Sequence, residues 1–191
     1  AVEGCIGVGK TTLARMLSER FRGRLIMEPV EENPFLENFY KDQQKWAFQT
    51  QLYFLFNRYK QLYDFRQGDL FSAITVSDYI FEKDRIFAYL NLSDHELELY
   101  EKIFGLLNPI PVKPDLVIYL QARLDVLVNR VRRRDRSCER PLKTAYLERL
   151  VEAYNEFFFR WKETPLLVIN TNDLDFVKSE EDFERLITVI D

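Results

Sequence analysis

Two kinds of hydrophobic pattern alternate along this chain: short uninterrupted apolar runs, and longer stretches in which apolar residues return every three or four positions. The first kind suits buried parallel strands and the second suits amphipathic helices. Residues 1–4 read as the end of a strand, and residues 10–21 as a helix whose Leu13, Met16, Leu17 and Phe21 share one face. Residues 24–27 give a short second strand, followed by a loop with Asn33-Pro34 and an aromatic-rich helix over about residues 43–65. A third strand is expected at 73–77, a fourth at 115–120 and a fifth at 165–170, the last two bounded by Pro or Asn. Helical patterns fill the spaces between them. This order predicts an α/β fold: a parallel sheet of about five strands, helices on both faces, and ligands beyond the carboxyl ends of the strands. With no internal repeat, low-complexity tract or linker, residues 1–191 are expected to form a single domain.

Composition narrows the class of protein. A chain of 191 residues that is 47% apolar supports one compact core. No stretch approaches the roughly 18 apolar residues needed to span a bilayer, and the first residues lack a secretory pattern, so a soluble, cytoplasmic protein is expected. The net charge of −4 argues against general binding to nucleic acid, which demands a surplus of Lys and Arg. The two cysteines, Cys5 and Cys138, make neither a disulfide framework nor a zinc signature and read as reduced thiols. Because the chain opens only a few residues before a glycine-rich loop that normally follows a complete strand, the natural N-terminus is expected to lie further upstream.

That loop is the strongest chemical signal. Gly4-Cys5-Ile6-Gly7-Val8-Gly9-Lys10-Thr11 satisfies G-x-x-x-x-G-K-[ST] and stands between a strand and a helix. The glycines let backbone N–H groups close around phosphates at a helix N-terminus. Lys10 would reach the β- and γ-phosphates of ATP and Thr11 would ligate Mg²⁺. The fourth strand ends without a carboxylate, whereas the third runs into Asp78, the better candidate for holding Mg²⁺; a helix N-cap is the alternative for this residue. Glu28 directly follows the second strand, at the sheet edge where a γ-phosphate would lie, and suits a general base; the alternative is an ordinary solvated loop residue, as expected for Glu31 and Glu32.

Eleven aromatics fall between Phe35 and Phe65, and within that stretch Gln51 and Arg58 stand seven residues apart, hence on one helical face. Apolar walls with two polar readers suit a nucleobase, although a solvated surface would also accept these two residues. The run from Arg130 to Arg140 carries six arginines within eleven residues. Arg130 and Arg134, four apart on one face, would repel unless a polyanion neutralised them, which points to a flap of about residues 130–142 closing over ATP phosphates; a solvated basic face is the alternative. His95, the only histidine, is expected at the surface.

Taken together, Gly4 to Leu13, Glu28-Pro29-Val30, Asn33-Pro34-Phe35-Leu36, Phe39-Tyr40, Trp46-Ala47-Phe48-Gln49, Arg58-Tyr59-Lys60-Gln61, Asp78-Tyr79, Ile86-Phe87-Ala88, Arg130 to Glu139 and Tyr146-Leu147 resemble the deoxynucleoside kinase family, especially its bacterial deoxyguanosine and deoxyadenosine kinases. The resemblance implies a P-loop kinase fold with an arginine-rich lid, and ATP-dependent, Mg²⁺-assisted phosphorylation of a deoxynucleoside 5′-hydroxyl in nucleotide salvage, with a purine favoured. It implies Glu28 as catalytic base and Lys10, Arg130, Arg134 and Arg136 around the phosphates. ATP would contact Gly4, Gly7, Val8, Gly9, Lys10, Thr11 and Thr12, with its adenine near residues 172–176, including Asn172, Asp173 and Phe176. Tyr40 and Glu139 match residues that hold the sugar 3′-hydroxyl, and Gln51 and Arg58 match base-binding positions. A homodimer is implied as well. The chain departs from many eukaryotic members in having Ser77-Asp78-Tyr79 where they carry an acid-Arg pair, and Lys83 where they have a base-reading Asp. Thymidylate kinases differ in having Glu-Pro-Gly in place of Glu28-Pro29-Val30. A nucleoside monophosphate kinase and a non-catalytic nucleotide switch remain alternative readings.

Overall fold

The computed structural model describes residues 1–68, 74–107, 113–172, 174–177 and 179–190. Strand β1 (Val2–Gly4) leads through the glycine-rich loop into helix α1 (Lys10–Arg20), and β2 (Arg24–Ile26) follows. Two helices come next, α2 (Leu36–Lys41) and the long α3 (Gln43–Gly68), before β3 (Thr75–Ser77). Helices α4 (Asp84–Asn91) and α5 (Asp94–Leu107) precede β4 (Val117–Gln121), and α6 (Leu124–Arg134) and α7 (Thr144–Phe159) separate it from β5 (Leu166–Asn170). Helix α8 (Glu180–Ile190) completes the described chain. Each predicted strand is found, with boundaries that differ by at most two residues; the part of the third strand expected at Ala73 lies outside the described residues.

All strand pairs are parallel, as the alternating pattern requires, but the expected single sheet is corrected in one respect. Among the described residues the strands form two hydrogen-bonded sets, β1-β4-β5 and β2-β3. A side chain spans the division: the carboxylate of Glu3, fully buried on β1, accepts the Ile80 N–H at 2.8 Å and the Gly4 N–H at 3.1 Å. Ile80 lies three residues beyond β3, so this carboxylate ties β1 to the segment that follows β3.

Strand β4 is buried along Val117, Ile118, Tyr119 and Leu120, which explains its unbroken apolar run. Leu13 and Leu17 of α1, Leu127 of α6 and Tyr146, Leu150 and Tyr154 of α7 pack into the same core. Burying one such leucine stabilises the fold by about 1.5–3 kcal/mol. A second cluster, with Leu55, Phe81, Tyr100 and Phe104, joins α3 to α5 and absorbs part of the aromatic stretch. No helix among the described residues is long and apolar enough to cross a membrane. His95 is exposed on α5, and both cysteines are free thiols, with Cys5 buried and Cys138 half-buried.

Candidate active site

The phosphate loop takes the shape its glycines permit. Gly7 has φ +85°, and a Cβ there would stand 2.8 Å from Val131 Cγ2 and 3.0 Å from the Leu127 carbonyl, so both its left-handed backbone and its contact with α6 call for glycine. Lys10 begins α1 and folds its Nζ back onto the carbonyls of Gly4 at 2.7 Å and Cys5 at 3.1 Å. Burial lowers its pKa, and Lys83 nearby adds to the effect. Thr11 Oγ1 donates to Asp78 Oδ2 at 2.6 Å, and the other oxygen, Oδ1, accepts the Glu28 N–H at 2.8 Å. Asp78 therefore spans the first turn of α1 and the end of β2, and the short 3₁₀ turn Phe81–Lys83 begins without it; the capping alternative falls.

Glu28 is not a solvated loop residue. Its side chain is only 10% exposed, with Oε1 paired to Arg58 and Oε2 to Lys83 Nζ at 2.7 Å. Burial alone would raise the carboxyl, but Arg58 and then Lys83 outweigh it and bring its pKa from 4.5 down to about 2. Helix α3 supplies Arg58 and also fixes the backbone before Glu28, because Gln61 Nε2 donates to the Met27 carbonyl at 3.1 Å. Glu31 and Glu32 are exposed, as expected.

One cleft gathers Lys10, Thr11, Glu28, Tyr40, Gln51, Arg58, Asp78, Lys83, Arg134, Arg136 and Glu139, with Val30, Leu36, Phe54 and Phe87 among its apolar walls. Gln51 and Arg58 are 4% and 3% exposed, which rules out the solvated face. Gln51 Nε2 donates to the Asp84 carbonyl at 2.8 Å and to Asp84 Oδ2 at 2.7 Å. Asp84 also pairs with Arg58 and accepts the Tyr100 hydroxyl at 2.7 Å. Tyr40 is buried in the wall against Phe39 and Tyr146, and burial raises its pKa.

A second groove runs behind the phosphate loop, lined by Gly7, Val8, Gly9, Thr12, Arg130, Arg133, Arg134, Asn172 and Phe176. It shares Gly7 and Arg134 with the first cleft. Asn172 Oδ1 accepts the Arg123 N–H at 2.7 Å, and the buried Phe176 ring faces Gly9. Asp173 lies outside the described residues.

The arginines of α6 correct an expectation. Arg130 and Arg134 diverge and need no polyanion to coexist: Arg130 donates to the Val8 carbonyl at 3.1 Å and to Thr171 Oγ1 and carbonyl at 3.0 and 2.8 Å, whereas Arg134 grips both Glu139 oxygens at 2.5 and 2.6 Å. The first is spent bracing the phosphate loop, and the second faces the shared mouth of the two pockets. Arg136 approaches Glu31 at 3.3 Å and Glu139 at 3.9 Å.

Comparison with known proteins agrees with this geometry. The deoxynucleoside kinase family model matches residues 1–191. The chain belongs to the deoxynucleoside kinase family. It is 41% identical to Bacillus subtilis deoxyguanosine kinase, over 97% of this chain and 92% of that protein, and 30% identical to the deoxyadenosine/deoxycytidine kinase of the same organism, over 99% and 89%. A solved structure of M. mycoides deoxyadenosine kinase, with products dCMP and a flexible dCDP bound, matches at 28% identity with a TM-score of 0.86, covering 99% of this chain and 96% of that one. The same M. mycoides enzyme with bound dATP matches at 27% identity, a TM-score of 0.85 and coverage of 99% and 96%. These relatives carry the P-loop kinase fold that the family resemblance implied.

Within this kinase, Lys83 lines the cleft and pairs with Glu28 Oε2, whereas the next residue, Asp84, stands with Gln51 and Arg58. Sequence reasoning missed Asp84 and Glu3. The one available signal for Glu3 was a charged residue inside a buried strand run.

Proposed function

We propose that this kinase transfers the γ-phosphoryl group of ATP to the 5′-hydroxyl of a deoxynucleoside, preferring a purine. The observation that carries the reading is the meeting of donor and acceptor machinery: Lys10, Thr11 and Glu28 open into one cleft, and Gly7 and Arg134 join that cleft to the groove behind the phosphate loop. The groove with Thr12, Asn172 and Phe176 takes the nucleoside of ATP, and the phosphates follow the loop toward Lys10. The deoxynucleoside lies across the apolar walls with its base toward Gln51 and Arg58 and its 3′-hydroxyl toward Tyr40 and Glu139. That places its 5′-hydroxyl beside Glu28. Oxygen then bonds to the γ-phosphorus as the bond to the β–γ bridging oxygen breaks, ADP leaves, and Glu28 takes the hydroxyl proton. A carboxyl held near 2 is a weak base, so it orients the hydroxyl first and accepts the proton late, once bonding to phosphorus has made that proton acidic.

The donor set suits Mg²⁺, which keeps several waters and takes one or two protein oxygens besides substrate phosphates. Thr11 Oγ1 and Asp78 Oδ2 are such a pair, and the ion would neutralise charge on the transferring phosphates. Arg134 and Arg136 meet the same charge from the lid, residues 130–142, of a single domain. The reading extends to a cytoplasmic homodimer, in line with the exposed Phe56 and Tyr63 on α3, Tyr89 on α4 and Leu106 on α5, which a second copy would cover.

A monophosphate acceptor fits less well, because Arg58 and Lys83 in the cleft are already paired with buried carboxylates, and Arg134 is assigned to the donor phosphates. The test is γ-labelled ATP with each of the four deoxynucleosides and their monophosphates. Label on the deoxynucleosides, purines foremost, is expected; preferential labelling of a monophosphate overturns the reading.

A further inference from the structure

The two hydrogen-bonded strand sets carry opposite halves of the chemistry. The set β1-β4-β5 bears the phosphate loop at the end of β1, and the set β2-β3 bears Glu28 just beyond β2. In-line transfer needs these halves held in fixed relation, yet no backbone ladder among the described residues joins them. Asp78 ties Thr11 to the Glu28 backbone, but the side chain that reaches from Glu3 of β1 to the Glu28 carboxylate itself is Lys83. Its ammonium, 2% exposed, lies 2.7 Å from Glu28 Oε2 and 3.9 Å from Glu3 Oε1, and sits 5.7 Å from the Tyr79 ring centroid. Glu3 is itself tied to the Gly4 N–H, the first amide of the phosphate loop.

We infer that Lys83 is a positioning residue for phosphoryl transfer, its buried ammonium bridging Glu3 of β1 and Glu28 beyond β2 so that the acceptor-side carboxylate stays in register with the phosphate loop. The inference rests on the reading of Glu28 as the base. Arg58 alone would leave Glu28 Oε2 unheld and free the carboxylate to turn about its last bond. Lys83 closes that freedom, and its buried seat at the end of the 3₁₀ turn, where α4 begins, gives it little room of its own. Misplacement of a reacting group by about 1 Å costs on the order of 100-fold in rate.

The experiment is a double-mutant cycle on purified enzyme, reading kcat and KM for the deoxynucleoside separately. Lys83→Met is expected to lower kcat about 100-fold with KM changed less than about threefold, and Lys83→Arg to recover part of the loss. Added to Glu28→Gln, Lys83→Met is expected to cost less than about threefold more, because the group it positions is already inert. Equal losses in both backgrounds, or a loss confined to KM, overturn the inference. Impaired Glu28→Gln beside unimpaired Lys83→Met refutes this inference alone. Full activity in Glu28→Gln refutes the base assignment, and this inference with it. Should Lys83→Met fail to fold, Glu3→Gln/Lys83→Met removes the facing charges together and carries the same cycle, and an unchanged kcat there is equally decisive against it.

Discussion

Removing the Arg58 guanidinium is the sharpest perturbation of the buried charge network. Arg58 is 3% exposed and pairs with Glu28 and Asp84, which are themselves buried, so Arg58→Met leaves two carboxylates short of their largest countercharge while keeping the apolar contact with Phe54. Removing one partner of a buried pair typically costs about 3–5 kcal/mol. The structure offers an independent measure: lowering the Glu28 carboxyl from 4.5 to about 2 corresponds to about 3 kcal/mol at neutral pH. For a domain of this size, a loss of that order lowers Tm by roughly 6–20 °C. The sign of the pH dependence follows from linkage. In the intact protein the Glu28 contribution is full above pH 4.5 and disappears as pH falls toward 2. In Arg58→Met the strongest opposing charge is gone and burial is countered mainly by Lys83, so the carboxyl rises and much of the contribution is lost at neutral pH. The deficit of the variant is therefore greatest near pH 7 and narrows as both proteins are taken below pH 4.5. Thermal or denaturant melts of both proteins from pH 7 to about pH 3 measure it directly. A deficit below about 1 kcal/mol, or one that does not change with pH, would refute the reasoning.

Lys10→Ala should keep the native circular dichroism spectrum and lose several orders of magnitude in turnover, since its charge serves the phosphates; single-turnover assays decide this. Arg134→Ala and Arg136→Ala should each lower kcat more than they raise KM for the deoxynucleoside, because their cations meet charge that develops during transfer. Arg130→Ala should behave differently: its guanidinium braces Val8 and Thr171, so it should lower Tm and weaken ATP binding, as melts and ATP titrations would show.

How much was legible in the sequence depended on how local the determinant was. The phosphate loop is eight consecutive residues whose conformation is set by its own glycines, and it sits as expected between β1 and α1. Gln51 and Arg58 share a face through helical geometry alone, and that face is the one turned to the cleft. Glu28 was placed by the rule that ligands bind beyond strand ends, but its low proton affinity was invisible, because it comes from Arg58 and Lys83, thirty and fifty-five positions away. Distance likewise hid Thr171, forty-one positions from Arg130, whereas Glu139 is only five from Arg134 and was hidden by the irregular turn after α6. Spacing along α6 shows that Arg130 and Arg134 are neighbours; only the fold brings Thr171 to one and turns Glu139 toward the other. Lys83 was placed in the pocket by resemblance alone, and its pairing with Glu28, fifty-five positions away, is one that spacing cannot foretell. The buried acid Glu3 takes the amide of Ile80, seventy-seven positions away, and nothing in an apolar run foretells which amide a carboxylate will take.

The measurement that bears most directly on the account is the steady-state and single-turnover kinetics of Glu28→Gln. The amide keeps the size and an acceptor oxygen for the 5′-hydroxyl but cannot take its proton. General-base assistance is typically worth about 10²- to 10⁴-fold, so kcat should fall at least about a hundredfold while KM for the deoxynucleoside moves far less. A loss appearing wholly in KM, or full activity, would contradict the assignment of Glu28 as the base and leave the cleft without its central residue.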